Sequence, residues 1–277
     1  MKKITGTGTN GRIASDYYGG RAIVLSGGII ASGAVSQGYD ANGANFISKV
    51  GAVFIYYKNS GGTDNWGFVK RPTARDHNGG RMANDNFGQS VAISGDIMIV
   101  GAHHQDYSLF SGDSVGNAGA AYIFYKTNGS WNFVKKLIAS GTNARVTDDN
   151  FGYSVSIDGD VAIVGAYLQD YDSAGANNIS DAGAAYIFSK NSGGTDNWGL
   201  VKKITPNGTN ARLANDQFGY SVSISGNLAV VGANQQDYDN TGANLVSNAG
   251  AAYVFNKNSG GTNNWGLVKK NNRYRNQ

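Results

Sequence analysis

Four copies of one pattern run along this chain: an aromatic residue and a glycine, a short apolar strand, then Gly-Ala. The copies read Asp85-Asn86-Phe87-Gly88 to Gly101-Ala102, Asp149-Asn150-Phe151-Gly152 to Gly165-Ala166, Asp216-Gln217-Phe218-Gly219 to Gly232-Ala233 and, more loosely, Asp16-Tyr17-Tyr18-Gly19 to Gly33-Ala34. The Gly-Ala pairs begin at 33, 101, 165 and 232, so the steps are 68, 64 and 67 residues. A repeat at a fixed period is a statement about fold, and this period is too long for a helical pair but holds one four-stranded sheet. The unit is therefore read as a propeller blade.

The rest of each repeat fits four strands. After Phe-Gly, Ser90-Val91-Ala92-Ile93 alternates, and the tight turn Ser94-Gly95-Asp96 leads into Ile97-Met98-Ile99-Val100, which is apolar on both faces. A strand sandwiched between neighbouring sheets reads that way. A third strand follows in Gly119-Ala120-Ala121-Tyr122-Ile123-Phe124 and its counterparts at 183–188 and 250–255. The fourth begins at Trp66, Trp131, Trp198 and Trp265, after an Asn-Ser-Gly-Gly-Thr turn in three of the four units. The predicted fold is all-β: a β-propeller of four blades, each a four-stranded antiparallel sheet, in a closed ring or an open arc. The blades are placed at about 1–69, 70–134, 135–201 and 202–270, forming one domain over 1–270, with 271–277 as an out-of-phase tail.

Composition sets limits. Forty-one glycines and two prolines make the chain turn-rich, and 40% hydrophobic residues are enough to bury several cores between blades. There is no cysteine, hence no disulfide. No apolar run approaches the roughly 20 residues of a membrane span, and polar Thr5-Gly6-Thr7-Gly8-Thr9 follows Met1-Lys2-Lys3 where a signal peptide needs apolar residues. The expectation is a chain with no membrane insertion and no signal peptide. The net charge of +4 owes half its excess to Arg273 and Arg275, and the remaining bases recur singly or in pairs per blade, which argues against nucleic acid.

This grammar resembles the FG-GAP repeat family, the blades of integrin α-subunit propellers and of many bacterial surface and secreted proteins, over residues 16–270. The resemblance implies a β-propeller that binds proteins or glycans without catalysing a reaction, in an extracellular or cell-surface setting. The first copy departs from the pattern, with Tyr18-Gly19-Gly20 in place of Phe-Gly. The family's calcium loop, Asp-x-Asp-x-Asp-Gly between strands one and two, is replaced by short turns such as Ser94-Gly95-Asp96, so that metal site does not carry over.

Two loops hold the candidate chemistry. Between strands two and three, Gln-Asp-Tyr recurs at Gln105-Asp106-Tyr107, Gln169-Asp170-Tyr171 and Gln236-Asp237-Tyr238. Asp170-x-Asp172 and Asp237-x-Asp239 then run to a glycine with the spacing of a calcium loop, though position five has no carboxylate and the closing Glu is missing. Ca2+ at Asp170, Asp172, Asp237 and Asp239 is one reading, with Asp181 or Asn248 closing the shell. Asx-turns that cap loop amides are the other. The loop leading into a blade repeats as Thr9-Asn10-Gly11-Arg12, Thr142-Asn143-Ala144-Arg145 and Thr209-Asn210-Ala211-Arg212. In an up-and-down blade both loops emerge on one face, so Arg12, Arg145 and Arg212 share a rim with Asp106, Tyr107, Asp170, Tyr171, Asp237 and Tyr238. This rim is the candidate site for a protein or glycan ligand; the competing reading is that each Arg locks its blade to the next.

The tryptophans read as structural plugs or as sugar platforms. His103 and His104, adjacent at a strand end, are expected to point to opposite sides and not to share a metal. With no cysteine and with His77 in a turn-like segment, no nucleophile-base-orienter set is visible, and no enzyme is expected. Two rivals stand beside a recognition propeller: a calcium-dependent carbohydrate-binding module, and a structural spacer or truncated fragment of a larger secreted protein. The tail favours the fragment. Back-translated with one adenine removed from its lysine run, Lys269–Gln277 reads Lys-Lys-Ile-Thr-Val-Thr-Gly-Thr, the opening of another repeat. Further blades are then expected to have followed, and an arc cut this way would expose edge strands and self-associate.

Overall fold

In a computed structural model, residues 2–74, 81–108 and 113–271 are described. His77, Arg273, Arg275 and the tail beyond Asn271 lie outside these residues. Among the described residues there is no helix, and sixteen strands form four antiparallel sheets of four. Blade 1 holds β1 (Ile23–Ser26), β2 (Ile29–Ala34), β3 (Ala52–Tyr57) and β4 (Gly67–Lys70). Blade 2 holds β5 (Ser90–Ser94), β6 (Ile97–Ala102), β7 (Ala120–Thr127) and β8 (Ser130–Leu137). Blade 3 holds β9 (Ser154–Asp158), β10 (Val161–Ala166), β11 (Ala184–Ser189) and β12 (Gly199–Ile204). Blade 4 holds β13 (Phe218–Ser225), β14 (Leu228–Ala233), β15 (Ala251–Asn256) and β16 (Gly266–Asn271). Strands pair in sequence order within every blade, as expected of an up-and-down sheet.

Strand alternation gives each blade two apolar faces. In blade 2 the leading face, carrying Ile93, Val100 and Tyr122, meets Ile29, Ala31 and Ile55 of blade 1. The trailing face, carrying Ile99, Ile123 and Leu137, meets Val155, Val164 and Tyr186 of blade 3. Blades 3 and 4 join in the same way through Ile163, Ile187, Val231 and Tyr253. The fourth cluster contains only residues of blade 1 and its leading segment, including Phe54, Tyr56 and Ile4. Among the described residues three joints link the four blades, which makes an open arc.

The repeated landmarks are the joints themselves. Phe87, Phe151 and Phe218 are fully buried, and each donates its backbone N–H to the preceding blade, at Val50, Ala118 and Ala182, over 3.0 Å. A Cβ on Gly101 would sit 1.9 Å from the Gly152 carbonyl oxygen, and one on Gly165 would sit 2.0 Å from that of Gly219. The Gly-Ala glycine is thus required because the next blade's Phe-Gly backbone rests on it. Tyr18 takes the place of Phe in blade 1, edge-on to Phe54 at 5.4 Å, as Phe87 is to Tyr122. Trp131, Trp198 and Trp265 are plugs, each 1% exposed. Trp66, Trp198 and Trp265 stand just before the outer strand in left-handed backbone, rather than opening it.

Candidate functional site

The two repeated loops share one face. Asn143 of a leading loop donates to the Gly175 carbonyl in its own blade at 3.0 Å, and Asn10 and Asn210 make the same bond to Gly43 and Gly242. The arginines reach the other way. Arg145 donates to the Asp106 carbonyl of the preceding blade, and Arg212 to the carbonyls of Asp170 and, at 2.9 Å, Asn177. Arg81 bonds Gly38 and Asn45 of blade 1 at 2.9 and 3.1 Å, in the same role. Its loop reads Asn-Gly-Gly-Arg, which hid it from the motif. Burial pushes the Arg145 and Arg212 guanidinium groups below their usual pKa, partly offset by neighbouring aspartates. Two of the three rim arginines are therefore engaged between blades, and only Arg12 faces solvent.

The rim aspartates are engaged as well. Asp106, Asp170 and Asp237 each accept the backbone N–H eleven residues on, at Asn117, Asp181 and Asn248. Asp172 accepts from the amides of Ala174 and Ala176 and from the Asn177 side chain. Asp239 accepts from Thr241, Ala243 and Asn244, and these bonds hold its carboxyl well below the usual range. Both oxygens of Asp172 and of Asp239 serve the loop, which is the bond pattern of an Asx-turn.

In blades 1, 2 and 4 a lysine or arginine at the end of the outer strand donates to the carbonyls of this loop face. Lys270 donates to Gln236 Oε1 and the Tyr238 carbonyl at 2.8 Å and to the Asp239 carbonyl at 3.0 Å, and Lys136 to the carbonyls of Tyr107 and Ser108. Arg71 does the same at Thr9, Asn10 and Asp40. Lys203, over the Tyr186 ring at 5.7 Å, is pushed down to about 8 by burial. Among the described residues no group of three His, Cys, Asp or Glu could hold a metal. With both oxygens of Asp172 and of Asp239 on loop donors, and in blade 4 the Lys270 ammonium on the loop carbonyls, these residues favour Asx-turns over a calcium shell. Tyr107, Tyr171 and Tyr238 are half-buried beside them.

What the loop face leaves open lies near the axis. A hollow of about 900 Å³ there is walled in part by residues that follow Phe-Gly or Gly-Ala, among them Arg21, Gln89, His103, His104, Tyr153 and Tyr167, and in part by loop residues of blades 1 and 2 such as Tyr17, Phe46 and Lys49. A second hollow of about 550 Å³ between the innermost strands shares Arg21, Gln89 and Tyr153 with it and adds Tyr220. The rings form a cluster: Tyr153 lies 4.4 Å from Tyr167, 5.1 Å from Tyr220 and 5.6 Å from His103. The His103 and His104 rings are 3.9 Å apart, which corrects the expectation that they diverge. Both lie beyond the end of β6 at Ala102, where strand alternation no longer applies. Burial, then the neighbouring His104 and Arg21, push His103 down to about 3, so it is neutral at pH 7. Among the described residues, no Asp or Glu lines either hollow.

A family profile described as the FG-GAP repeat matches residues 66–124, 131–188 and 198–255, more than half of the chain. The chain belongs to the FG-GAP repeat family. Each matched FG-GAP unit begins at the outer-strand tryptophan of one blade and ends on the third strand of the next, so the sequence repeat straddles the joint. FG-GAP propellers are generally non-enzymatic, often bind proteins, and are typically extracellular or surface proteins. No curated protein matches the chain. Among solved structures, a hypothetical selenium-binding protein from Sulfolobus tokodaii aligns over 88% of this chain and 52% of its own, with 6% identity and a TM-score of 0.44. The chain spans about half the length of that protein.

Proposed function

We propose that this FG-GAP chain is a non-catalytic recognition module of the adhesion type, acting at a cell surface or outside the cell, and that it takes its ligand at the axial end of the loop face. Arg145, Arg212 and the rim aspartates hold the scaffold. The axial residues hold the ligand, because positions such as Gln89 against Tyr153, and His103 against Tyr167, change between blades while the scaffold around them repeats. The observation that carries this reading is a mouth walled by aromatic rings, amides and the cations Arg21 and Lys49, with no carboxylate among the described residues that line it. Rings stack on the apolar faces of sugars, and Arg pairs with carboxylates in two-pronged geometry. The ligand that fits is a glycan bearing acidic groups.

Binding of the purified chain to an array of acidic and neutral glycans tests this reading. Selective retention on acidic glycans is expected, reduced at least about tenfold by Tyr153→Ala or Arg21→Ala and unaffected by EDTA. Retention that EDTA abolishes would favour a calcium-dependent carbohydrate module instead. No binding to any glycan would leave a protein ligand or a spacer role.

A further inference from the structure

The three joints are built alike, and the two faces that would make a fourth stand open. On the leading face of blade 1, Leu25 is 67% exposed, whereas its equivalents Ile93, Ile157 and Ile224 are 8%, 7% and 6% exposed. On the trailing face of blade 4, Val230 is 37% exposed, whereas Ile99 and Ile163 are 0% exposed. Ile23 and Leu228 are exposed beside them. The backbone halves of the joint are open too. Gly51, Gly119 and Gly183 each lie against the following blade's Phe backbone, but the nearest atoms to Gly250 are those of its own blade. Arg12, the counterpart of Arg81, Arg145 and Arg212, is exposed and has no hydrogen bond among the described residues.

We propose that these faces join head to tail between two copies of this chain, blade 4 of one docking on blade 1 of the other as blades 1 to 4 dock in series. The molecule itself displays the occupant: each closed trailing face is covered by a leading face of the kind blade 1 presents. Arg12 of one copy then meets the Asp237 carbonyl of the other, the position at which Arg212 meets Asp170. The leading and trailing faces differ, so the contact is heterologous, and two such contacts close a ring of eight blades, within the range propellers adopt. One short segment must yield. Lys2 donates to Asn65 as Lys202 does to Asn264, so Lys2–Ile4 lie where Lys269–Asn271 of the second copy would come to rest. This joint uses sheet faces, and is distinct from pairing of exposed edge strands.

Sedimentation velocity over a concentration series tests the proposal, using the full chain, Leu25→Lys, Val230→Lys and an equimolar mixture of the two variants. The wild-type chain is expected at twice its 29.0 kDa mass. Each variant alone is expected at the monomer mass, with association weakened at least about tenfold. The mixture is expected to regain part of the assembly, because one intact leading face then meets one intact trailing face. A wild-type chain that stays monomeric throughout, or an assembly that Leu25→Lys leaves untouched, overturns the proposal. Unchanged melting of each variant separates lost docking from lost folding. Arg12→Glu with Leu228→Glu provides a second pair should either lysine variant fail to fold.

Discussion

The guanidinium of Arg212 reaches back 42 residues to the backbone oxygen of Asp170, so blade 4 holds blade 3 by a carbonyl and leaves the aspartate's carboxylate to its own loop. Hydrogen bonds from charged donors to buried acceptors are worth more than neutral ones, and removing the donor strands the acceptor. Arg212→Met keeps much of the buried stem and loses both bonds, and is expected to cost about 2–3 kcal/mol in urea unfolding. With both variants compared in the Leu25→Lys background, where copies do not dock, Arg12→Met removes the same residue type from an exposed position, with an expected change within about 0.5 kcal/mol. Equal effects at the two positions would mean that Arg212 does not serve as a joint.

The Gly-Ala glycines offer the same comparison without charge. Gly165→Ala places a methyl group about where the Gly219 carbonyl oxygen stands, and backbone on both sides must move. The expected loss is about 3 kcal/mol or more, at the upper end of overpacking costs. In Gly232→Ala the nearest atom is the Ser221 hydroxyl, which can rotate away, and the next lies at 3.7 Å. In the Leu25→Lys background, where no second copy covers this glycine, that variant is expected to melt within a few degrees of its parent chain. Circular dichroism melts of the pair decide whether contact with the next blade, rather than strand geometry, selects glycine there.

Much of this scaffold was legible in the sequence because it recurs. Phe87, Phe151 and Phe218 mark one joint position three times, and Tyr18 is recognisable in the fourth copy by register alone. The open arc was not legible: exposure of Leu25 and Val230 depends on what stands against them, and both read as ordinary core residues in their strands. The axial mouth was missed for the opposite reason. Gln89, Tyr153 and Tyr220 follow Phe-Gly at one offset, and His103 and Tyr167 follow Gly-Ala at another, but neither offset keeps one residue type through all the blades, so neither forms a motif. The available signal was variation at a fixed offset within a strict repeat.

The calcium reading separates cleanly from the Asx-turn reading at Asp239. If its oxygens serve Thr241, Ala243 and Asn244, Asp239→Ala lowers the melting temperature by the same amount in EDTA and in millimolar calcium. Loss of such a cap is expected to cost about 1 kcal/mol. Wild-type melting is expected to be indifferent to calcium. A calcium-dependent rise in wild-type melting that Asp239→Ala removes would restore the metal site.

Two buried groups pull the pH dependence of stability in opposite directions. Asp149 is pushed up to about 7, mainly by burial, from an ordinary value near 3.8. Between those values the folded chain binds more protons than the unfolded one, so this group's contribution to stability falls as pH rises from about 4 to 7. His103 is pushed down to about 3 from 6.5, so across that window the folded chain binds fewer protons, and its contribution rises with pH. The two largely offset one another between pH 4 and 6.5. Asp149→Asn keeps an acceptor for the Val146 amide and removes the titration. Its stability is expected to climb more steeply than wild type over pH 4–7, ending above it at pH 8. His103→Gln leaves Asp149 unopposed and is expected to reverse the slope. Chemical denaturation of the three proteins at half-unit pH steps measures both effects, and parallel curves would show that neither group changes its protonation on folding.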